Sequence, residues 1–401
     1  MYIRLLIDIF AWLIVYIFMI ERRLVTKLKK ILRFSASVGI LGPRQCGKST
    51  LVKNLEKEKV YLDLENKEDV AKLGDPFLFF EHNDDKLICL DEIQFKPDIF
   101  VDIKSHIDKR DMPGQFLVLG SASPDLLKQS SESLAGRIIY LELSGFLWVE
   151  IRDAISLDQY MYRGVMPKST LAEDDELAQL WLNSYIKTFF ERDLLQLSSG
   201  ISAAQVERLF TMLAHLHGTE LNMAKLSKSL DLAYNTVRSY IDILIGAFQL
   251  LLLPPYHKNV GKRLVKSPKI YISDPGILHA LLRIRSFNQL LSHPTFGFSF
   301  EGMIIYNIMK MYPAYDYSFY RTSGGAELDL VMEGNGMVIG IEVKSSKIPR
   351  ITRGFWSSLK DVKADYGWVI GWLDYQTELR ENIYQSGLNE FLEFLEEKEN
   401  G

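Results

Sequence analysis

A glycine-rich segment near the amino end carries the residue types that hold a triphosphate. Residues 42–49 read GPRQCGKS and match the pattern GxxxxGK[ST] without deviation. In this pattern backbone N–H groups surround the phosphates, the lysine brings a cation to the β- and γ-phosphates, and the serine hydroxyl reaches Mg²⁺. We therefore predict binding of ATP and Mg²⁺, with Lys48 as a catalytic cation. The expected nucleotide contacts are Gly42, Pro43, Arg44, Gln45, Cys46, Gly47, Lys48, Ser49, Thr50 and Ser121.

An acidic pair follows a second apolar segment. Residues 87–90 read LICL and are followed directly by Asp91 and Glu92. Ligands of open α/β sheets bind at the carboxyl ends of the strands, so the pair should lie beside the glycine-rich loop. We predict that Ser49 and Asp91 hold Mg²⁺ and that Glu92 orients or deprotonates the attacking water. A chance match of both motifs is the alternative, and their order along the chain disfavours it.

Two polar residues nearby have more than one interpretation. Ser121 follows the apolar run QFLVLG and could contact the γ-phosphate or the water, or could simply cap a helix before Pro124. Arg137 could be an arginine finger or a sensor, or a solvated arginine at a helix end. Cys46 and Cys89 are expected to be small buried hydrophobic residues.

A second constellation of acidic and basic residues lies near the carboxyl end. Asp329 precedes a glycine-rich turn, and Glu342 and Lys344 follow it in the sequence EVK. Residues two apart on a strand share a face, so these side chains could meet across a hairpin. Two carboxylates and a lysine are typical of metal-dependent nucleases, with Glu301 as a further ligand. The predicted metal ligands are Glu301, Asp329 and Glu342, with Lys344 catalytic. The alternatives are a domain that binds without cutting, or a simple ion pair between Asp329 and Lys344.

The segment between these two regions has helix-turn-helix spacing. Residues 222–229 and 234–248 are predicted helices on either side of a short turn, and the second exposes Asn235, Arg238 and Ser239. These residue types can meet bases or phosphates in DNA. The alternative is a packing module that transmits the ATP state, with its basic loop against the ATPase domain. The basic residues that follow are Lys258, Lys262, Arg263, Lys266 and Lys269.

Helices and strands must position these candidate site residues. Strands alternate with helices up to about residue 146, which is typical of a parallel sheet with helices on both faces. Predicted strands cover 37–41, 59–64, 86–90, 115–119 and 138–143, with helices at 21–34, 50–57, 97–109 and 124–137. Long helices are predicted at 176–197 and 203–217. Further on, a helix at 300–311, strands at 317–321, 327–332, 337–343 and 367–372 and an acidic terminal helix are predicted.

Length and composition agree with two or three folded domains. The chain has 401 residues, 47% of them hydrophobic, and a formal net charge of −4, so no global basic field indicates a nucleic-acid protein. Two cysteines are too few for a disulfide framework and favour a reducing compartment, so we predict a cytoplasmic location. Residues 9–20 form an apolar run that is too short to span a bilayer. It is either an anchor, which would contact a membrane, or a start-site artefact upstream of Met19.

Several segments together resemble a known family. They read GPRQCGKSTL, LDEIQ, LVLGSAS, ESLAGRIIYLEL, YIKTFFERDL, KSPKIYISDPGI, FYRTSGGAELDLV and IEVKSS. From Met19 onward the chain resembles the AAA-type ATPases of bacteria and archaea that carry a C-terminal DUF4143 domain. Cys46 departs from the small apolar residue usual in that family, which should not affect binding through backbone N–H groups.

The resemblance implies an α/β protein with a P-loop NTPase parallel sheet, a helical winged-helix-like middle module and a C-terminal α/β restriction-endonuclease-like domain. The predicted boundaries are an N-terminal extension at 1–20, the ATPase domain at 21–150, the middle module at 151–285 and the C-terminal domain at 286–401. We expect an ATPase coupled to a DNA-interacting C-terminal domain that either cleaves or only binds, and a homo-oligomer is left open.

Overall fold

The computed structural model describes residues 20–122, 134, 136–197, 201–258 and 265–400. The apolar N-terminal extension and almost all of the helix predicted at 124–137 lie outside the described residues. Within those ranges, no helix is both long enough and apolar enough to cross a bilayer.

The first domain is built on a five-stranded parallel sheet. Its strands are β1 (Ser37–Leu41), β2 (Lys59–Asp63), β3 (Leu87–Asp91), β4 (Phe116–Gly120) and β5 (Ile138–Glu142), in the order β2-β3-β4-β1-β5. The central strands β1, β3 and β4 are buried along their whole length, as their apolar sequences require. The helices are α1 (Leu24–Leu32), α2 (Lys48–Lys53), α3 (Lys67–Leu73), α4 (Pro76–His82) and α5 (Ile99–Lys109).

The middle of the chain is mostly helical, as predicted, but it also contains a small sheet. Strand β7 (Leu250–Leu253) pairs with β8 (Lys269–Ile272), which also pairs with the short β6 (Thr219–Glu220). Strands were not predicted at these positions, because two prolines directly follow Leu253. The first helices are α6 (Trp148–Ile151), α7 (Leu157–Arg163) and α8 (Pro167–Thr170).

The long helix predicted at 176–197 is one continuous helical segment with an irregularity. It consists of α9 (Asp175–Thr188), a π-helical turn (Phe189–Asp193) and α10 (Leu194–Leu197). Single π turns inside α-helices are frequent at functional sites. The remaining helices of the module are α11 (Ala203–His215), α12 (Met223–Leu230), α13 (Tyr234–Gly246) and α14 (Pro275–Leu281).

The C-terminal domain is a six-stranded mixed sheet covered by helices. Its strand order is β13-β14-β12-β11-β10-β9. The strands are β9 (Asp316–Arg321), β10 (Glu327–Gly334), β11 (Met337–Val343), β12 (Tyr366–Ile370), β13 (Thr377–Arg380) and β14 (Ile383–Ser386). The helices are α15 (Phe287–Leu291), α16 (Phe296–Met311), α17 (Arg353–Val362) and α18 (Leu388–Asn400).

The predicted hairpin between β10 and β11 is present. The two strands pair antiparallel, with Leu330 opposite Ile341. Asn335 and Gly336 both have positive φ, as a two-residue turn of the primed type requires.

Helix α16 of the C-terminal domain contacts the other two parts of the chain. It is apolar and buried over most of its length. Its Tyr306 hydroxyl accepts a hydrogen bond from the Gly145 N–H at 3.2 Å, and the side-chain Oδ1 of its Asn307 accepts one from the Trp148 N–H at 2.7 Å. Residues that follow β5, including Phe146 and Trp148, share one hydrophobic core with the C-terminal sheet.

Candidate nucleotide site and the C-terminal acidic cluster

The glycine-rich loop runs from the end of β1 to the start of α2. Gly42 is required where the loop leaves the strand, since a Cβ there would lie 2.0 Å from the carbonyl oxygen of Leu143. Gln45 and Gly47 have positive φ, so the loop follows a tight path that returns to a helix N-terminus. Such a path directs backbone N–H groups toward an anion. Gln45 and Thr50 are exposed, whereas Pro43 is buried.

Lys48 is held over the loop. It is only 5% exposed, and its Nζ donates to the carbonyl oxygens of Gly42 at 2.9 Å and Pro43 at 3.0 Å. It also donates to the Ser121 hydroxyl at 3.2 Å, which connects the loop to the end of β4. The lysine therefore lies at the carboxyl edge of the sheet, where the sequence predicted a phosphate-binding cation.

Ser49 and Asp91 converge as a pair. The Ser49 hydroxyl donates to Asp91 Oδ2 at 2.5 Å, and Asp91 is 3% exposed. A hydroxyl and a carboxylate are the oxygen donors that Mg²⁺ prefers, so these residues fit the metal that the motif implies. The Tyr61 hydroxyl donates to the same carboxylate oxygen, and burial followed by the hydrogen bond to Asp91 raises the pKa of Tyr61. The sequence analysis did not identify Tyr61, which lies on β2 beside β3.

Glu92 adopts an uncommon backbone conformation at the end of β3. Its φ is 52°, in the left-handed region, which is costly for a residue with a side chain. The Ser121 hydroxyl donates to its carboxylate at 3.2 Å, and Gln94 also donates to it. Lys48, Ser121 and Glu92 thus form a continuous hydrogen-bonded chain across the sheet edge. The helix cap that Ser121 might alternatively form lies outside the described residues.

The loop is supported from behind by Arg22. This buried side chain donates to the Cys46 carbonyl at 2.9 Å, to the Ser144 carbonyl at 2.7 Å and to the Glu150 carboxylate at 3.0 Å. The sequence analysis did not identify Arg22 as a residue of this site. Cys46 is fully buried, and burial raises the pKa of its thiol. Cys89 is also buried, so both cysteines are the small core residues that were expected.

Arg137 lies at the wrong end of the sheet for catalysis in its own chain. Its carbonyl accepts a hydrogen bond from the Ser37 hydroxyl at 2.8 Å, and Ser37 is the first residue of β1. At about 3.3 Å per residue, the five-residue strand separates it by about 13 Å from the nucleotide edge. Its guanidinium donates to Asp108 at 2.6 Å. Arg137 therefore lies away from the nucleotide edge of its own chain, and its role as an arginine finger or a sensor stays a prediction.

The C-terminal carboxylates meet, but around a lysine. Lys269, on β8 of the middle module, is 2% exposed, and its Nζ lies 3.0 Å from Glu301, 3.2 Å from Asp329 and 3.3 Å from Glu327. Burial lowers its pKa, but the carboxylates of Asp329 and Glu301 outweigh this effect, so the pKa is raised. The Tyr271 hydroxyl donates to Glu301 at 2.5 Å. We call Lys269, Tyr271, Glu301, Glu327 and Asp329 the acidic cluster.

This arrangement bears on two expectations. Lys269 is not a solvent-facing lysine that could contact DNA, because it is buried among carboxylates. Its ammonium also stands where Glu301 and Asp329 were predicted to hold a metal ion. Among the described residues, no group of three or more histidine, cysteine or acidic side chains is arranged to hold one.

Glu342 and Lys344 face each other at the mouth of a cleft. Their side chains lie 2.5 Å apart, and the cleft has a volume of about 420 Å³. Asp329 lines the same cleft, where its second carboxylate oxygen accepts the Val343 N–H at 2.9 Å. Asp329, Glu342 and Lys344 thus line one cleft together, as expected, but the ion-pair partner of Asp329 is Lys269.

The predicted helix-turn-helix consists of α12 and α13. Asn235, Arg238 and Ser239 are all exposed on α13, as expected. Of the basic residues that follow, Lys258 pairs with Glu333 and Lys266 is exposed. Lys262 and Arg263 lie outside the described residues.

Comparison with known families divides the chain into three matched regions. Residues 35–152 match a family described as an AAA domain. Residues 155–288 match a domain of unknown function, DUF8612, and residues 296–391 match another, DUF4143.

Three uncharacterized proteins are similar to this chain over most of its length. The uncharacterized proteins Rv2008c of Mycobacterium tuberculosis and Mb2031c of Mycobacterium bovis are each 41% identical over 350 residues, covering 86% of this chain and 78% of theirs. The uncharacterized protein MJ1544 of Methanocaldococcus jannaschii is 21% identical over 339 residues, covering 73% of this chain and 74% of its own. Among solved structures, the Walker-type ATPase paby2304 of Pyrococcus abyssi is similar, with a TM-score of 0.44 and 12% identity, over 66% of this chain and 96% of its own.

Proposed function

The chain belongs to the family of AAA-domain proteins with a C-terminal DUF4143 domain, and from this premise we propose that its first domain binds ATP and hydrolyses it with Mg²⁺. One observation carries the proposal. At a single edge of the parallel sheet, Lys48, Ser121 and Glu92 form a hydrogen-bonded chain, and Ser49 meets Asp91 at 2.5 Å beside it. A cation, a pair of ligands for Mg²⁺ and a carboxylate base are the groups that phosphoryl transfer to water requires.

Each residue has a defined part in this proposal. The backbone of the loop binds the phosphates. When ATP binds, the Lys48 ammonium leaves the carbonyl oxygens of Gly42 and Pro43 and donates to phosphate oxygens instead. Ser49 and Asp91 hold Mg²⁺, which neutralises charge on the β- and γ-phosphates when it is bound. Glu92 accepts the proton of the attacking water, and Ser121 keeps the Glu92 carboxylate directed at the reaction centre.

Two substitutions test the assignment. Lys48→Ala should abolish saturable ATP binding, and Glu92→Gln should bind ATP with turnover reduced at least about a hundredfold, since general-base catalysis contributes on that order. Glu81→Gln, an exposed glutamate of the same domain, is the matched control and should behave as the unaltered protein. Phosphate release and equilibrium binding of a fluorescent ATP analogue are measured on the full chain. Normal turnover in Glu92→Gln would remove Glu92 from its role.

A second candidate function concerns the C-terminal cleft. The ammonium of Lys344 at the mouth of the cleft favours contact with a phosphodiester backbone, and the exposed face of α13 with Arg238 supports contact with DNA. The two versions of this candidate are cleavage of DNA and ATP-dependent binding without cleavage. Lys269 among the carboxylates favours the second version, because it takes the place of the metal that cleavage would need.

Plasmid DNA separates the two versions. Cleavage with Mg²⁺ that Lys344→Ala abolishes and Lys48→Ala does not would support a nuclease. Retention of uncut DNA that weakens with salt, and weakens further in Arg238→Ala, would support binding alone. No retention by the unaltered protein would contradict both versions. The homo-oligomer and the cytoplasmic location stay predictions.

A further inference from the structure

Arg44 lies in the phosphate-binding loop, but its side chain is bonded to the middle module. One guanidinium nitrogen pairs with the carboxylate of Asp193, the last residue of the π-helical turn. The other lies 3.1 Å from the carboxylate of Glu65, which follows β2. The loop is therefore connected through one side chain to a helix that belongs to a different part of the protein.

A second arginine strengthens this connection. Arg192, the neighbour of Asp193 on the π turn, also pairs with Glu65. The first domain and the middle module thus each contribute one arginine and one carboxylate to a chain of three ion pairs. Both carboxylates are largely shielded, with side-chain exposures of 10% for Asp193 and 25% for Glu65. Ion pairs shielded in this way are screened less by salt than exposed pairs.

The connection borders the predicted position of the γ-phosphate. Arg44 and Asp193 line a small cavity together with Gln94 and Ser121. The cavity has a volume of about 20 Å³, which accommodates about one water molecule. Ser121 is also the residue that joins Lys48 to Glu92. The carboxylate of Asp193 therefore lies beside the groups that would surround the terminal phosphate.

We propose that Asp193 and the γ-phosphate of ATP compete for Arg44, so that ATP but not ADP releases the loop from the π-helical turn. The proposal rests on the ATP site proposed above and adds the residue that reports the nucleotide state to the middle module. Arginine binds phosphate and carboxylate with the same two-pronged geometry, so either anion can be its partner. A second anion placed next to Asp193 would also repel its carboxylate, which favours the exchange.

The competition has a measurable consequence for nucleotide preference. Asp193→Asn keeps the size of the side chain but removes the competing charge, so Arg44 becomes available to the γ-phosphate. We expect a non-hydrolysable ATP analogue to bind about fivefold to tenfold more tightly, as the loss of one partly shielded ion pair implies. Affinity for ADP should change less than twofold, because ADP lacks the competing group.

The test compares four variants by titration with the ATP analogue and with ADP, both with Mg²⁺. Arg44→Ala should lower the preference for the ATP analogue over ADP, and adding Asp193→Asn to it should have no further effect. Asp175→Asn is the control, since it removes a different ion pair of the same module, with Arg163. The ADP affinity of each variant also shows that its loop is folded.

Each outcome has one meaning. If the unaltered protein binds neither nucleotide, the proposed ATP site is wrong. If it binds both, and Asp193→Asn leaves the ratio of the two affinities within twofold or changes both equally, the competition for Arg44 is wrong. A raised ratio in Asp193→Asn that disappears in the double variant supports it.

Discussion

Replacing Lys269 by methionine should destabilise the protein strongly, although no surface residue is altered. Methionine has a similar length and fills the same space, so the change removes mainly the charge. The ammonium lies 3.0 Å from Glu301 and 3.2 Å from Asp329, both of which are largely shielded from water. Breaking a buried ion pair from one side costs about 3–5 kcal/mol, because a charge is left buried without a partner. Glu327 is about one-third exposed and adds less.

A matched lysine provides the control. Lys258 pairs with Glu333, but its side chain is 66% exposed. Exposed pairs of this kind contribute about 0–1 kcal/mol, so Lys258→Met should change the free energy of unfolding by no more than that.

Unfolding in urea is followed at pH 7.5 by tryptophan fluorescence and by circular dichroism. Trp368, one of six tryptophans, is fully buried in the C-terminal sheet, so its emission changes when that sheet unfolds. Agreement of the two signals checks that one transition is being measured. A loss below about 1 kcal/mol in Lys269→Met, or a loss equal to that of Lys258→Met, would refute the view that the acidic cluster holds the lysine as a required counter-charge.

Acid should lower the free energy of unfolding through His217. Its Nδ1 accepts the Ile272 N–H at 3.0 Å, and burial lowers its pKa to about 3. Because the unfolded chain titrates near pH 6.5, this contribution is complete above that pH and is lost as the pH falls, by about 2 kcal/mol at pH 5. Urea midpoints measured from pH 7.5 to 5 should fall less steeply in His217→Gln, and an unchanged slope would contradict this. Gly42→Ala places a methyl group 2.0 Å from the Leu143 carbonyl oxygen, so the loop must shift. We expect ATP affinity to fall at least about tenfold. This corresponds to about 1.4 kcal/mol, which lies within the usual energetic cost of overpacking. Gly297→Ala is the control: a Cβ has room there, so ATP affinity should be unchanged.

The convergence of Lys48, Ser49, Asp91 and Ser121 at one sheet edge could be predicted because these residues lie at or near strand ends. The apolar run of β1 leads into the glycine-rich loop, those of β3 and β4 are followed directly by Asp91 and Ser121, and parallel strands bring their carboxyl ends to one edge. The contact between Ser49 and Asp91 follows from that rule without knowledge of the packing. Arg22 could not be placed in this way, because its partner carboxylate on Glu150 is 128 residues away along the chain.

The acidic cluster shows where sequence reasoning failed and which signal it overlooked. Lys269 was grouped with the basic residues that precede it, although it begins the strand KIYI. In a strand Lys269 and Tyr271 point to the same side. Both contact Glu301, and a lysine that alternates with a tyrosine toward an apolar interior indicates a buried polar contact. Which carboxylates it meets depends on the packing of two domains and cannot be inferred from either alone.

The acidic cluster also limits how the chain can be divided for study. Its lysine comes from one side of the junction, and Glu301 and Asp329 come from the other. A fragment that ends before residue 296 would leave the ammonium of Lys269 without its counter-charges and would uncover the apolar surface that α16 normally shields. Truncation experiments on this protein will therefore measure the damage at the cut together with the properties of the part that remains.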